Sequence, residues 1–410
     1  MKLARIFLFF SLIGPGLLTA IGDNDVGGIA SNSAAGAHFG YSFLWVLLMI
    51  TVALTVVLDM CARMGVVTGK GLMDLIRENF GLKWAAFSAL CLFLANTATT
   101  ISNFGGLAGG IEMFGISRYL FVPMMTLAIW YLVHKGTYKI VERGLLVISM
   151  VVLSYIGSAI LAQPDWGSVI KHTFIPSVQA NRDYLMLMVA FVGTTIAPWM
   201  LFFLQSMIVD KGLTKKHINF VRWEVWLSSF LSDYAISFFI ITACAATLFK
   251  NGIMINDISD AAMALRPLAG DFAFVLFAVG LLAAAILTSF LLPLTTAYAM
   301  CEAFGFENGL NKNPEDAPAF YRIFTSLIVL GALFILIPGI PIFPLVITAQ
   351  VVAGLITPVL LVFILLLANK KGLMGKHVNS PILNMIALIS VSGIIIVAAV
   401  YLGMVFFGKI

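Results

Sequence analysis

The stretch Gly22-Asp-Asn-Asp25-Val-Gly-Gly28 constrains this chain more than any other. It interrupts an apolar run from Ile6 to Ala37 that is otherwise long enough to cross a bilayer. Two carboxylates, an amide and three glycines stand where hydrocarbon-compatible side chains belong. Irregular, charged backbone at that depth is tolerated only where it is buried in protein or lines a cavity. A surface loop between two short helices is the plainer alternative. However, Ile6–Ile21 is free of charge and Ile29–Ala37 is small and weakly polar, so the pattern reads as one broken helix with a binding site at the break.

The rest of the chain supplies the membrane that this reading needs. Hydrophobic residues make up 61% of the 410 positions and charged ones 10%, more apolar surface than a soluble chain of this length can bury. Windows of about 20 apolar residues predict eleven segments: roughly 5–38 (broken), 42–65, 84–110, 117–134, 142–163, 183–209, 225–249, 271–301, 322–339, 343–369 and 382–407. The linkers are too short to separate domains, so one transmembrane domain over 1–410 is expected. Thr68–Lys83, with Lys70, Asp74, Arg77 and Glu78 between apolar positions, reads as an amphipathic helix on the membrane surface. Lys2 and Arg5 before an apolar run imitate a signal peptide. No small-residue cleavage site follows, and the run leads into Asp23 and Asp25, so it is read as the first membrane segment.

Charge then sets an orientation. With the N-terminus cytoplasmic, 18 of the 24 Lys and Arg residues fall on the cytoplasmic side, which places the C-terminus outside a cell-membrane protein. The net charge of +5 is of this kind and does not argue for nucleic acid. The four cysteines lie far apart in apolar runs and form no metal or redox pair. No HExxH pair or Walker loop is present, so an ATP-driven pump is unsupported.

The sixth segment answers the first. Gly193-Thr-Thr-Ile-Ala197-Pro198-Trp-Met200 puts a glycine, two hydroxyls and a proline at mid-membrane, and proline removes a backbone donor and opens the helix. Segments one and six begin two five-segment blocks of opposite orientation, repeat one over about 5–163 and repeat two over about 183–369. Segment eleven, about 382–407, stands outside both. Broken helices at corresponding places in inverted repeats point to a transporter's central site. Gly105, Gly106, Gly109 and Gly110 read as a close helix-packing surface. Asp233 is either a site residue or a hydrogen-bonded interior acid, and Asp59, near the cytoplasmic end of segment two, is expected to be wetted.

Gly14-Pro-Gly-Leu-Leu, Asp25-Val-Gly-Gly28, Ala35-Gly-Ala37, Val67-Thr-Gly-Lys70 and Gly193-Thr-Thr-Ile-Ala-Pro198 resemble, in order and over nearly the whole chain, the Nramp transporters of divalent metals. The resemblance implies an all-α LeuT-type fold, with inverted five-helix repeats plus an eleventh helix, helices one and six broken, and no enzymatic activity. It implies that Asp25 is the principal metal ligand. The backbone carbonyls of Gly22 and Thr194 would face the ion, with Gln350 near it. Asp23, Asn24 and Asp233 are possible additions.

The departures refine it. Gly28 stands where the family's Asp-Pro-Gly-Asn motif has a liganding asparagine. Ala197 stands where its Met-Pro-His motif has the thioether, and Trp199 follows Pro198 in place of the histidine. The acids of the family's third helix are absent. The register puts Thr99 and Ser102 there, and no charge occurs between Lys83 and Glu112. These changes resemble the Nramp-related magnesium transporter branch. A thioether favours Mn²⁺, Fe²⁺ or Cd²⁺, whereas Mg²⁺ keeps its water and takes one or two carboxylates. A roomy site is therefore expected to carry partly hydrated Mg²⁺, or Mn²⁺, as substrate, with no cofactor, in a monomer whose partners are the ion and the lipid bilayer. A divalent cation entering an inside-negative cell gains about 4.6 kcal/mol per 100 mV, so proton coupling is not required. The alternatives are a LeuT-fold transporter of Mn²⁺ or Fe²⁺ with protons, a transporter of a small organic solute, and an intramembrane aspartyl protease using Asp25 with Asp233. The last lacks that class's Gly-x-Gly-Asp pattern.

Overall fold

The computed structural model describes residues 24–135, 154–179, 181–310 and 312–407. Within them the chain is helical throughout, with no strand. The first helix of the described residues, α1 (Val26–Phe39), takes Asp25 as its N-cap. α2 (Leu44–Thr68) stops at Gly69, whose φ of 66° is the left-handed conformation that ends helices at least cost to glycine. α3 (Leu72–Phe80) is the amphipathic helix expected over Thr68–Lys83. It buries Leu72, Met73, Leu75 and Ile76, and the Lys70–Glu78 ion pair lies outside at 2.7 Å. α4 (Leu82–Glu112) and α5 (Arg118–Lys135) follow as the third and fourth segments. The fifth segment is described only at its end, α6 (Ser154–Leu161).

Asp165 then caps α7 (Trp166–Phe174), a short helix that no membrane-length window could reveal. The sixth segment is two helices, α8 (Arg182–Thr195) and α9 (Pro198–Asp210). The seventh is α10 (Ile218–Ser228), a π-helical stretch over Ser229–Ile236, and α11 (Ser237–Thr247). α12 (Ile258–Phe304) runs long, breaking at Gly270 with φ 62° and ψ −157°. α13 (Pro318–Ile335), α14 (Ile342–Ala368), the single turn α15 (Lys371–Met374) and α16 (Pro381–Phe407) complete the chain.

Eight helical stretches of the described residues are long and apolar enough to cross a membrane. Their packing makes α1, α8, α9 and α14 the interior: α1 lies on α11, α8 on α14, and α4 runs along both α12 and α14. Small residues set those approaches. A β-carbon at Gly106 would overlap Val26, and one at Gly354 would overlap the carbonyl of Val189, so α4 and α14 come close to α1 and α8 only because these positions carry none. The glycine surface expected on the third segment is used this way. Gly105 faces Ile342 at 3.2 Å and Gly110 faces Leu282 at 2.8 Å, measured from the missing β-carbon. α16 lies outside, against α2, α8 and α14, with apolar side chains such as Ile382, Ile389 and Ile396 exposed to the surroundings that a bilayer supplies.

One expectation is overturned. Asp59 is not wetted; it is completely buried and accepts from Arg63 Nε at 2.8 Å, Arg222 Nε at 2.6 Å and Trp226 Nε1 at 3.2 Å. A carboxylate near a helix end reaches water only if no neighbouring helix covers it. Here α10 brings two donors over it, which no count along α2 reveals.

Candidate functional site

The first four N–H groups of a helix have no partner inside it. At the start of α1 these donors define the surroundings of Asp25, which is only 3% exposed. Asp25 Oδ1 accepts from Gly28 N at 2.8 Å, and its carbonyl accepts from Ile29 N at 2.9 Å. The Val26 N–H donates across to Asn103 Oδ1 of α4 at 3.2 Å, and the same amide's Nδ2 donates to Asp25 Oδ2 at 3.4 Å. One carboxamide therefore holds both the backbone and the carboxylate of the break. A carboxylate has about four acceptor positions, and two remain after these bonds. Asn24, also buried, accepts from Ser237 Oγ at 3.4 Å, and Asn32 Nδ2 donates to that serine at 2.8 Å. Gly22 and Asp23 lie outside the described residues.

The second break follows from Pro198. In a continuous helix the carbonyl of Thr194 would accept from the N–H of residue 198, and proline has none. α8 ends at Thr195. Ala197 is extended (φ −61°, ψ 131°), and Pro198 is the first residue of α9, where its missing donor does no harm. The carbonyl of Ile196 is taken up by Thr357 Oγ1 at 3.2 Å. Thr194 is buried, and its hydroxyl has no hydrogen-bond partner. Trp199 is buried as well, its ring tilted 54° to that of Phe203 with centroids 6.0 Å apart. The bulk following the proline thus fills the core with an apolar ring that cannot titrate.

Gln350 of α14 joins the two breaks. A β-carbon at Gly27 would overlap its side-chain carboxamide, and one at Gly193 would overlap its backbone carbonyl. Its Nε2 is enclosed without a hydrogen-bond partner, and the residue is 1% exposed. A buried polar group left unpaired is costly. Those of Gln350 and Thr194 are two of several such groups among the described residues, and both lie beside the helix ends at Gly27 and Pro198. Among the described residues no three His, Cys, Asp or Glu side chains group as a metal site. A cation here would meet one carboxylate, amides and carbonyls, a hard and weakly charged donor set.

Asp233 lies in the π-helical stretch and accepts from Thr51 Oγ1 of α2 at 2.5 Å, whereas Ser237, one turn later, reaches Asn24. Sequence reasoning missed Asn103. The register puts Thr99 and Ser102 where the family's third-helix acids stand; Thr99 Oγ1 donates to the carbonyl of Ala95, and Asn103, one residue past Ser102, is the α4 side chain that reaches Asp25. Asn96 and Asn103, two amides seven residues apart on a membrane-depth helix, were the available signal. Glu302 was missed too. Buried near the end of α12, it accepts from Ser206 Oγ of α9 at 2.8 Å and from Met73 N of α3 at 3.3 Å. Asp210 at the end of α9 accepts from Tyr298 Oη at 2.5 Å, so two acid contacts close α9 onto α12 at the basic end of the bundle.

These features can be set beside known proteins. A curated divalent metal cation transporter MntH of Caldanaerobacter subterraneus subsp. tengcongensis is 28% identical over 98% of this chain and 95% of its own. MntH of Bacillus subtilis is 26% identical over 90% and 86%. Among solved structures, a manganese transporter from Eremococcus coleocola superposes with a TM-score of 0.76 at 20% identity, covering 98% of this chain and 88% of its own. The transporter MhsT, solved with L-phenylalanine, superposes at 0.61 with 14% identity over 94% and 98%. The architecture is accordingly the LeuT type, shared by transporters with little sequence in common. The model of the family described as Nramp, natural resistance-associated macrophage protein-like, matches residues 16–404, and the chain belongs to that family.

Proposed function

We propose that this chain is a multi-pass membrane transporter of divalent metal cations. It works by alternating access around Asp25, with the carbonyls of Gly22 and Thr194 and the side chain of Gln350 completing the site. The observation that carries the reading is that Gln350 packs against Gly27, two residues past the buried Asp25, and against Gly193, in the turn before the proline that frees the Thr194 carbonyl. Family membership and likeness to a divalent metal cation transporter and a manganese transporter support a divalent metal as cargo. Asn24 stands beside Asp25 as a further oxygen donor.

The finer reading is a uniporter for partly hydrated Mg²⁺. Gly28 and Ala197 offer neither an amide nor a thioether, and Mg²⁺ sheds water reluctantly. α4 carries no acid before Glu112, and Trp199 is a buried ring, so the two places from which a proton relay would approach Asp25 hold no titratable group. The second reading, Mn²⁺ moved with protons, is favoured by the names of the relatives, which are manganese or divalent metal transporters. The basic loops favour a cytoplasmic N-terminus.

Flux in proteoliposomes under an inside-negative potential, with Mg²⁺ or Mn²⁺ and with or without a pH gradient, tests the two readings. The uniporter moves Mg²⁺ in response to voltage without acidifying the lumen. Lumen acidification that scales with metal uptake would give the second reading instead. In either case Asp25→Ala should abolish flux while the protein stays folded, since loss of an N-cap costs only about 1 kcal/mol. Near-normal flux in Asp25→Ala would remove the site from this position.

A further inference from the structure

Away from the central site, the buried pair beneath Arg222 opens onto a surface that the transport mechanism does not use. Arg222 spends only its Nε on Asp59 and remains 41% exposed, so a buried carboxylate holds a guanidinium facing outward. Asn219, Trp223 and Trp226 surround it in a cavity of about 300 Å³, and Trp223 is 77% exposed. More positive charge gathers here. His377 is held below the ordinary imidazole range, first by desolvation and then by Lys376, Lys215, Arg63 and Arg222. Asp59 pairs with two of these cations, Arg63 and Arg222.

Trp223 and Trp226 also form the mouth of a second, apolar cavity of about 460 Å³, which runs between α2, α10 and α16 past Thr55 and Val52 to Ile386. A third cavity, of about 400 Å³, shares Val52 and Ile386 and continues along α2 to Trp45 between α8 and α16. From Val56 to Trp45 the groove spans twelve residues of α2, about 16 Å from end to end at helical rise. That is close to half of the roughly 30 Å hydrocarbon core, the depth of one leaflet. A basic rim with tryptophans at the polar boundary, opening onto an apolar groove one leaflet long, is complementary to one class of molecule. Basic pockets between transmembrane helices on the cytoplasmic side take anionic lipid headgroups. Tryptophan rings sit at the headgroup level.

We propose that this groove is a binding site for one anionic diacyl phospholipid, its phosphate on the Arg222 guanidinium with Lys215 and Lys376 beside it and an acyl chain laid along α2 beneath α16. The site ties the start of α10 to α2 and α16 through a ligand of the bilayer. Asp59 is the positioning residue that aims Arg222 at it. The proposal is independent of which cation the transporter carries.

Native mass spectrometry of the full-length protein in detergent, titrated with phosphatidylglycerol or phosphatidylcholine, tests it. Phosphatidylglycerol should form a one-to-one adduct that survives detergent at concentrations where phosphatidylcholine does not. Lys215 and Lys376 are exposed, so Lys215→Gln with Lys376→Gln should leave the fold intact. At about fivefold per charge near a membrane surface, that pair should weaken phosphatidylglycerol binding about 25-fold. Val52→Trp, which fills the point where the two apolar cavities meet, should abolish the adduct with the rim unchanged. Unfolding temperature without lipid, equal to the parent's, verifies that each variant is folded. Equal retention of both lipids, or an adduct unaffected by Val52→Trp, would overturn the proposal. Inorganic phosphate displacing phosphatidylglycerol at comparable concentration would reduce the site to one for a free anion and overturn it as well.

Discussion

Gln350 and Gly27 lie so close that no side chain fits between them: a β-carbon on Gly27 would occupy the space of the Gln350 carboxamide. The glutamine is thereby pressed onto the first turn after one helix break, while its own carbonyl lies where a β-carbon of Gly193 would be, just before the other. α14 thus couples the start of α1 to the last turn of α8 through a single residue. The amide that does so is the one whose Nε2 lacks a partner.

Gly27→Ala should therefore displace Gln350, at a cost of about 1–3 kcal/mol for overpacking, and reduce flux at least tenfold. Combining it with Gln350→Ala should restore part of the lost stability without restoring flux, because the clash is relieved but the amide is gone. Thermal unfolding and flux measured on the two single variants and the double give both quantities. A double variant no more stable than Gly27→Ala would show that the two residues do not share this space.

Asn103 is neutral where it touches Asp25, and replacing it by a carboxylate should be visible in the pH profile. In Asn103→Asp two carboxylates face each other across the start of α1, and like charges raise one apparent pKa of such a pair. The proton held by the pair competes with the cation. At a fixed, subsaturating metal concentration, flux in the variant should therefore fall as pH is lowered, and begin to fall at a higher pH than in the parent. Superimposable pH profiles would mean that position 103 does not sense the charge on Asp25. Asn103→Ala, which loses both bonds without adding a charge, separates positioning from charge: it should weaken apparent metal affinity and move the pH profile less than Asn103→Asp does.

Gly28→Asn with Ala197→Met tests selectivity. The amide and thioether add direct ligands and take up room otherwise left to water, so Mg²⁺ flux should fall while Mn²⁺ flux is maintained or rises. The informative quantity is the Mg²⁺-to-Mn²⁺ ratio in one preparation, because overpacking alone would lower both. A folded, active double variant with the parent's ratio would move selectivity away from these positions.

The sequence by itself determined the class of this protein and the two places where its helices break. Apolar runs of membrane length leave the backbone only helical solutions. Glycine, proline and buried charge at Gly22–Gly28 and Gly193–Pro198 are local facts about dihedral angles and donors, legible without a partner. Even the freed carbonyl of Thr194 follows from Pro198 alone. What lies across from those breaks was decided by tertiary structure. Asn103 meets Asp25 because the rotation of α4 is set by Gly106 against Val26 on α1 and by Gly105 against Ile342 on α14. That is a matter of shape between distant segments, not of periodicity along one. Asp59 reads as an exposed acid near a helix end until α10 folds Arg222 and Trp226 over it. Glu302 gains its meaning only when α9 and α3 are laid beside α12. A chain states which backbone groups must find partners, and only packing, where every neighbour excludes the others from the same space, determines which partners they find.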